Sequence, residues 1–252
     1  MKRNLMFSIM ATGLALLPFA SANAYETGTN SPGATAIVAL PFTISSPGNY
    51  YLATDLSIAL PAGAAITIEA SGVILDLNGR TLSNTTVSNT AYGIFVFNQV
   101  DVTIQNGNVD SFAVGVFFAP GSTDVNAKNT ALNLRLNSNT VGVESLSGTS
   151  NLVRLCIIDG GSIGIWFRKD LGSRAEDNIL ELQAPIESNK TGVALVSTHS
   201  LGVVFDNNVV AKGTGKIGQI MSGTDKYRFE SFVGFAVSGP VVGGTDEEAD
   251  SN

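Results

Sequence analysis

An all-β solenoid, in which short parallel strands stack coil upon coil, is the fold class that the sequence predicts, and three observations carry the prediction. A Gly step recurs about once in 25 residues, a second short apolar strand follows it within each period, and Asn, Asp or Gly commonly closes that second strand. Helix signals are nearly absent over the same stretch, where apolar residues alternate in short runs between Gly, Asn, Ser and Thr.

The chain begins with an address. Lys2 and Arg3 form a short positive region, an apolar stretch from Leu5 to Ala20 follows, and Ala22-Asn23-Ala24 supplies the small-x-small site that a signal peptidase needs. Residues 1–24 are therefore expected to be a secretory signal removed after Ala24. The apolar run is too short for an anchor, and no other run reaches the roughly 18 residues of a membrane helix. The product is expected to be secreted or periplasmic, with no membrane span after signal removal. Residues 25–52 are expected to cap the N-terminal end, residues 53–243 to form the solenoid, and residues 244–252 to be a disordered acidic tail that discourages end-to-end stacking.

The repeat is read from Tyr92-Gly93-Ile94, Val114-Gly115-Val116, Val141-Gly142-Val143, Ile163-Gly164-Ile165, Thr191-Gly192-Val193 and Ile217-Gly218-Gln219, with Ala65-Ile66-Thr67-Ile68 as an earlier copy. Second strands are expected at Val73–Leu77, Val100–Ile104, Leu152–Ile157, Val203–Phe205 and Tyr227–Phe229. Asn78-Gly79, Asn106-Gly107, Asp159-Gly160 and Asn207-Asn208 follow these strands, and such residues tolerate the left-handed backbone of a tight corner. No coil can bury its apolar side chains alone, whereas coils stacked at about 4.8 Å share one core. The expected stack is roughly seven to eight coils. A β-sandwich, the competing architecture, predicts hairpins rather than one Gly–apolar step per period.

The segment from Pro41-Phe42-Thr43-Ile44 through Gly48-Asn49-Tyr50-Tyr51-Leu52 to Gly72-Val73-Ile74-Leu75-Asp76-Leu77-Asn78-Gly79-Arg80-Thr81-Leu82 resembles the opening of bacterial right-handed parallel β-helix repeat proteins of the pectin-lyase-like superfamily. The close likeness covers residues 41–82, and a looser coil pattern extends to about 240. The resemblance implies a single-stranded right-handed parallel β-helix and a range of roles that includes polysaccharide lyases, hydrolases, epimerases and adhesins. Fold does not choose among them.

Strand alternation assigns the faces of the Gly-bearing strand. Positions one and three after each Gly should face inward: Ile94, Val116, Val143, Ile165, Val193 and Gln219, then Val96, Phe118, Ser145, Phe167, Leu195 and Met221. Positions two and four should face out, which places Phe95, Phe97, Phe117 and Trp166, the sole Trp, on one surface with Glu144 and Arg168 beside them. A sugar ring can lie on an aromatic face while a few polar groups fix its hydroxyls. The expected role is thus binding of an extended polysaccharide or cell-envelope component through Phe95, Phe97, Phe117 and Trp166. Two alternatives stay open: loops near 119–131 and 183–190 cover these rings, or a protein partner does.

Few residues are available for catalysis. The chain has one His and one Cys, and its 14 basic against 21 acidic residues (net charge −7) argue against nucleic-acid binding. By the resemblance, a lyase would use Arg or Lys as base and a cation to neutralise a uronate; Arg168, Lys169 and Glu144 are the candidates, with calcium as the possible cofactor. A solvated turn is the simpler account of Arg168-Lys169-Asp170. As a hydrolase pair, Glu144 and Asp170 fall on the order of 14 Å apart by strand rise, too far for either stereochemical outcome. No metal-binding motif and no cofactor is expected outside the lyase reading. Cys156 is expected to be a buried inert thiol, Asp76 a corner stabiliser and His199 an exposed turn residue. Asn84-Thr85-Thr86 and Asn189-Lys190-Thr191 are glycosylation sequons. A structural or adhesive scaffold without a small ligand is the third functional reading.

Overall fold

The Gly-bearing strands stack into one eight-stranded sheet in chain order: Phe42–Ile44, Ala64–Ile68, Tyr92–Phe97, Val114–Ala119, Val141–Leu146, Ile163–Arg168, Val193–Thr198 and Lys216–Met221. Every pairing within it is parallel, which excludes the hairpins of a sandwich. The computed structural model describes residues 33–121, 126–181, 193–206, 208–212, 216–221, 227–230 and 233–234. The expected signal (1–24), the loop at 183–190, the sequon at Asn189 and the tail at 244–252 lie outside the described residues.

A fifteen-stranded sheet forms the rest of the wall. Its main ladder runs Thr35–Ile37, Gly48–Leu52, Val73–Asp76, Thr103–Asp110, Thr130–Asn137, Leu152–Arg154, Arg174–Glu176, Val203–Asp206 and Tyr227–Glu230. From Ala64–Ile68 to Val193–Thr198 the chain makes about five regular turns, slightly fewer than the seven to eight coils expected; Phe42–Ile44 and Lys216–Met221 extend the ladder by one strand at each end. The expected second strands are present, but the one at 152–157 is split into Leu152–Arg154 and Ile157–Asp159 because Leu155 takes a left-handed backbone (φ 54°). Residues 35–52 contribute strands to both sheets, with Thr35–Ile37 at the first edge.

Three inward rows build the core. Ile66, Ile94, Val116, Val143, Ile165 and Leu195 are in register, as are Ile68, Val96, Phe118, Ser145, Phe167 and Ser197. Leu75, Ile104, Ala131, Val153, Ala175 and Phe205 form the matching row of the other sheet. All are buried, and the rings of Phe167 and Phe205 meet between the sheets at 5.7 Å. Each fully buried large side chain contributes about 1.5–3 kcal/mol by area.

The recurring Gly has a steric cause. Gly93, Gly115 and Gly142 show no left-handed φ, yet a Cβ on each would lie 2.6, 2.7 and 2.6 Å from the carbonyl oxygen of Gly115, Gly142 and Gly164 in turn. The corners have a conformational cause: Asn78 and Asn106 sit at φ 54° and 60°, and Gly79 and Gly160 at 69° and 81°. Inside the corners, buried amides replace backbone partners. Asn139 accepts from Phe112 N–H and donates to the Val109 carbonyl, and Asn178 does the same for Cys156 and Val153.

Two expected assignments are corrected by the register. Leu195 pairs with Ile165 and Ser197 with Phe167, so Val193 lies opposite Ile163 and the Gly column ends opposite Ala194, not at Gly192. In the next strand Gly218 pairs with Leu195, Gln219 with Val196, Ile220 with Ser197 and Met221 with Thr198, so Gln219 and Met221 are not in register with the inward residues with which the Gly spacing groups them. Gly192 and Gly218 belong to periods of different loop length, so the spacing rule loses its phase there.

Candidate functional site: an aromatic face on the eight-stranded sheet

Alternation turns every second residue of the eight-stranded sheet outward, and parallel stacking aligns those residues along the solenoid axis. Thr67, Phe95, Phe117, Glu144, Trp166 and Val196 form one such row in register. Phe97 is beside Ala119, and Leu146, Arg168 and Thr198 continue at the same depth farther along. Phe95, Phe97, Phe117 and Trp166 thus share one face, as the alternation predicts.

At one end the rings form a continuous cluster. Phe95 is 5.7 Å from Phe97 and 5.6 Å from Phe117, and Tyr92 is 5.2 Å from both Phe95 and Phe117. Such distances suit offset and tilted aromatic pairs. Tyr92 was not among the residues that alternation selects, because it begins its strand at a corner and has the parity of the inward row. Phe97 is 41% exposed, whereas Phe95 and Phe117 are half-buried.

At the other end a polar group is assembled around Trp166. The Arg168 guanidinium lies over the Trp166 ring at 4.6 Å and donates to Glu144 Oε1 at 2.5 Å, while the indole N–H donates to Thr198 Oγ1 at 3.2 Å. Glu144 was expected to be exposed. It does stand in the outward row, but it is only 6% exposed, with the partly exposed Arg168 ion-paired to it. An arginine held by a carboxylate and an indole stays protonated and is a positioned donor, poorly suited to accept a proton as a base.

Lys169 is exposed and takes the left-handed corner conformation (φ 55°) immediately after the strand. That turn sends Asp170 into the interior, at 1% exposure. Asp170 accepts hydrogen bonds from Gly148 N–H at 2.7 Å and Ser173 Oγ at 2.9 Å, and its backbone N–H donates to Ser200 Oγ at 3.0 Å. Burial pushes its carboxyl up to about 6; bonds from Ser145, Gly148 and Ser173 oppose the rise and the charge of Glu144 adds to it. Asp170 is therefore part of an internal polar network with Ser145, Asn151 and Asn126, not a surface carboxylate facing Glu144. This network explains why one inward row carries Ser145 among apolar residues.

Other singled-out residues have structural roles. Cys156 is fully buried, and burial pushes its thiol up to about 12. Asp76 accepts from Asn78 N–H at 2.7 Å and from the Gln105 and Asn106 amides at 3.0 Å each, which ties two successive corners. His199 is an exposed corner residue with φ 54°. The Asn84 amide is buried, donating to the Leu60 carbonyl at 2.7 Å and accepting from Leu60 and Thr86 N–H, an arrangement that a glycan on its nitrogen would break. Among the described residues no group of three His, Cys, Asp or Glu side chains comes together to hold a metal ion, calcium included.

The sequence did not reveal a groove of about 250 Å³ on the opposite sheet, over the corner residues Asn78, Asn106, Asn133 and Leu155, with Arg135 beside them. Its amides are largely engaged with one another: Asn133 donates to Asn106, and Asn106 to Asp76. The aromatic face is partly exposed at Phe95, Phe97, Phe117 and Trp166, whereas Ala119, Glu144, Val196 and Thr198 in the same outward rows are buried.

No curated protein and no solved structure matches the chain at a significant level. The sequence pattern described as "Right handed beta helix region" matches residues 67–232, which is more than half of the chain and includes every residue of the site from Thr67 to Thr198. The parallel coils and this match together place the chain in the right-handed β-helix family.

Proposed function

We propose that this protein binds an extended polysaccharide or a cell-envelope glycan through the outward face of the eight-stranded sheet, after export and removal of residues 1–24. The observation that carries the reading is the gathering of the Tyr92, Phe95, Phe97 and Phe117 rings and the Trp166–Arg168–Glu144 group on one face of one sheet. The rings offer flat apolar area for the C–H faces of sugars, and the partly exposed Arg168, held in place by Glu144, offers a fixed donor for hydroxyls. Coils repeat at about 4.8 Å, close to the length of one sugar residue in an extended chain. A ligand lying along the axis would thus meet a new pair of outward side chains at each coil.

A glycan array probed with the wild-type protein and with Trp166→Ala tests this. A discrete set of glycans should be retained, and the variant should weaken their binding about tenfold, the loss expected from one stacking contact of roughly 1.4 kcal/mol. Equal retention by the two proteins, or no retention by the wild type, would remove the reading.

A further inference from the structure

We infer that the ligand of this face is an uncharged glycan of equatorially substituted sugars, such as a β-1,4-linked glucan or xylan, and not an acidic polymer; the inference rests on the glycan-binding reading above. Charge decides it. Among the described strand residues of the two outward rows, the charged side chains are Glu144 and Arg168, and they neutralise each other. Arg168 is further engaged by the Trp166 ring. Two exposed charges border the face: Glu69, one residue past Ile68 in the ladder, and Lys169, one residue past Arg168. They are of opposite sign and stand several coils apart.

An acidic polymer carries a negative charge on each acidic sugar. Its recognition along a sheet face would need cations repeated from coil to coil, and the described residues of this face offer no such row. The chain as a whole carries a net charge of −7, which opposes the approach of a polyanion at long range. What repeats on the face is aromatic or otherwise uncharged: Phe95, Phe117 and Trp166 in one row, with Ala119, Leu146 and Thr198 beside them. Sugars with all-equatorial substituents present their axial C–H groups as a flat apolar surface, the shape that a stacked ring platform accepts. Axial hydroxyls would interrupt that contact and leave polar groups without partners.

The test uses the full secreted chain and calorimetric titration with three probes: cellohexaose, xylohexaose and hexagalacturonate. Binding of at least one neutral hexamer is expected, with an affinity that changes less than about twofold between about 20 and 200 mM salt, because no ion pairs form with the ligand. Phe97→Ala, at the most exposed ring and with little packing to lose, should weaken that binding about fivefold, within the range of one aromatic contact. Tighter binding of hexagalacturonate that falls steeply with salt would overturn the neutral-ligand inference and leave the glycan-binding reading in place. No binding of any of the three, by a variant-free protein whose thermal unfolding shows it folded, would overturn this inference; the array above then decides the wider reading separately.

Discussion

Gly142→Ala is expected to destabilise the protein by about 3 kcal/mol or more, at the upper end of the range for overpacking, because the obstacle is backbone. The added methyl would lie 2.6 Å from the Gly164 carbonyl oxygen and 2.7 Å from Ile158 Cγ2. A side chain could rotate away from such a contact; a carbonyl fixed in a parallel ladder can move only if the coils part. Gly142 lies between Gly115 and Gly164 in that ladder, so displacement on one side compresses the other. Thermal unfolding of the variant should show a transition lowered by several degrees or lost. A control, Gly172→Ala, meets nothing closer than 3.9 Å and suffers only its left-handed φ of 65°, a strain of roughly 1–2 kcal/mol. If the control is the more damaging of the two, the steric account of the repeated Gly is wrong.

The second large effect is a pH dependence located at Asp170. Its carboxyl titrates near 6 in the folded protein, raised by burial from an ordinary value of 3.8. Between those values the folded state binds more protons than the unfolded chain, so stability falls as pH rises through the window. The full cost, on the order of 3 kcal/mol for a two-unit shift, is present above pH 6 and absent below about pH 4. Asp170→Asn keeps an oxygen for the Gly148 N–H and can donate to Ser173, while removing the buried charge. Unfolding midpoints recorded from pH 4 to 8 should decline less steeply in the variant, which should match or exceed the wild type at pH 8. Asp110, whose carboxyl is also raised by burial, acts in the same direction in both proteins and cancels from the comparison. Parallel pH profiles would show that Asp170 is not the group responsible.

Much of the architecture was legible because it rests on requirements met once per coil. The carbonyl of the next coil leaves no room at Gly93, Gly115 and Gly142, and the corners need the left-handed tolerance of Asn78 and Asn106. Inward and outward parity followed from the apolar rows, which placed Phe95, Phe117 and Trp166 correctly on one face. Parity cannot detect a shift of two residues, however, and that is the error made at Gly192, where Val193 and Leu195 keep the inward parity but move along the ladder. It also cannot foresee residues at corners. Tyr92 joins the outward rings although its parity is inward, and the left-handed corner at Lys169 turns the chain so that Asp170 enters the interior. The burial of Glu144 depends on a tertiary contact, the reach of Arg168 across one coil, which no spacing rule contains.

Phe97 leaves a large apolar side chain 41% exposed, and the Arg168 guanidinium lies 4.6 Å from the centroid of the single indole of the protein. Exposed aromatic area bordered by fixed polar atoms is characteristic of interaction surfaces.

Because Trp166 is the sole Trp, its fluorescence reports on this face alone. The most direct test is a titration of the intact protein with the oligosaccharide that the array or calorimetry identifies, following Trp166 emission. The account predicts a saturable change in intensity and wavelength with the same dissociation constant that calorimetry gives, abolished by excess competing glycan. Calorimetric binding with Trp166 emission unchanged throughout would put the ligand elsewhere on the molecule and contradict the assignment of this face.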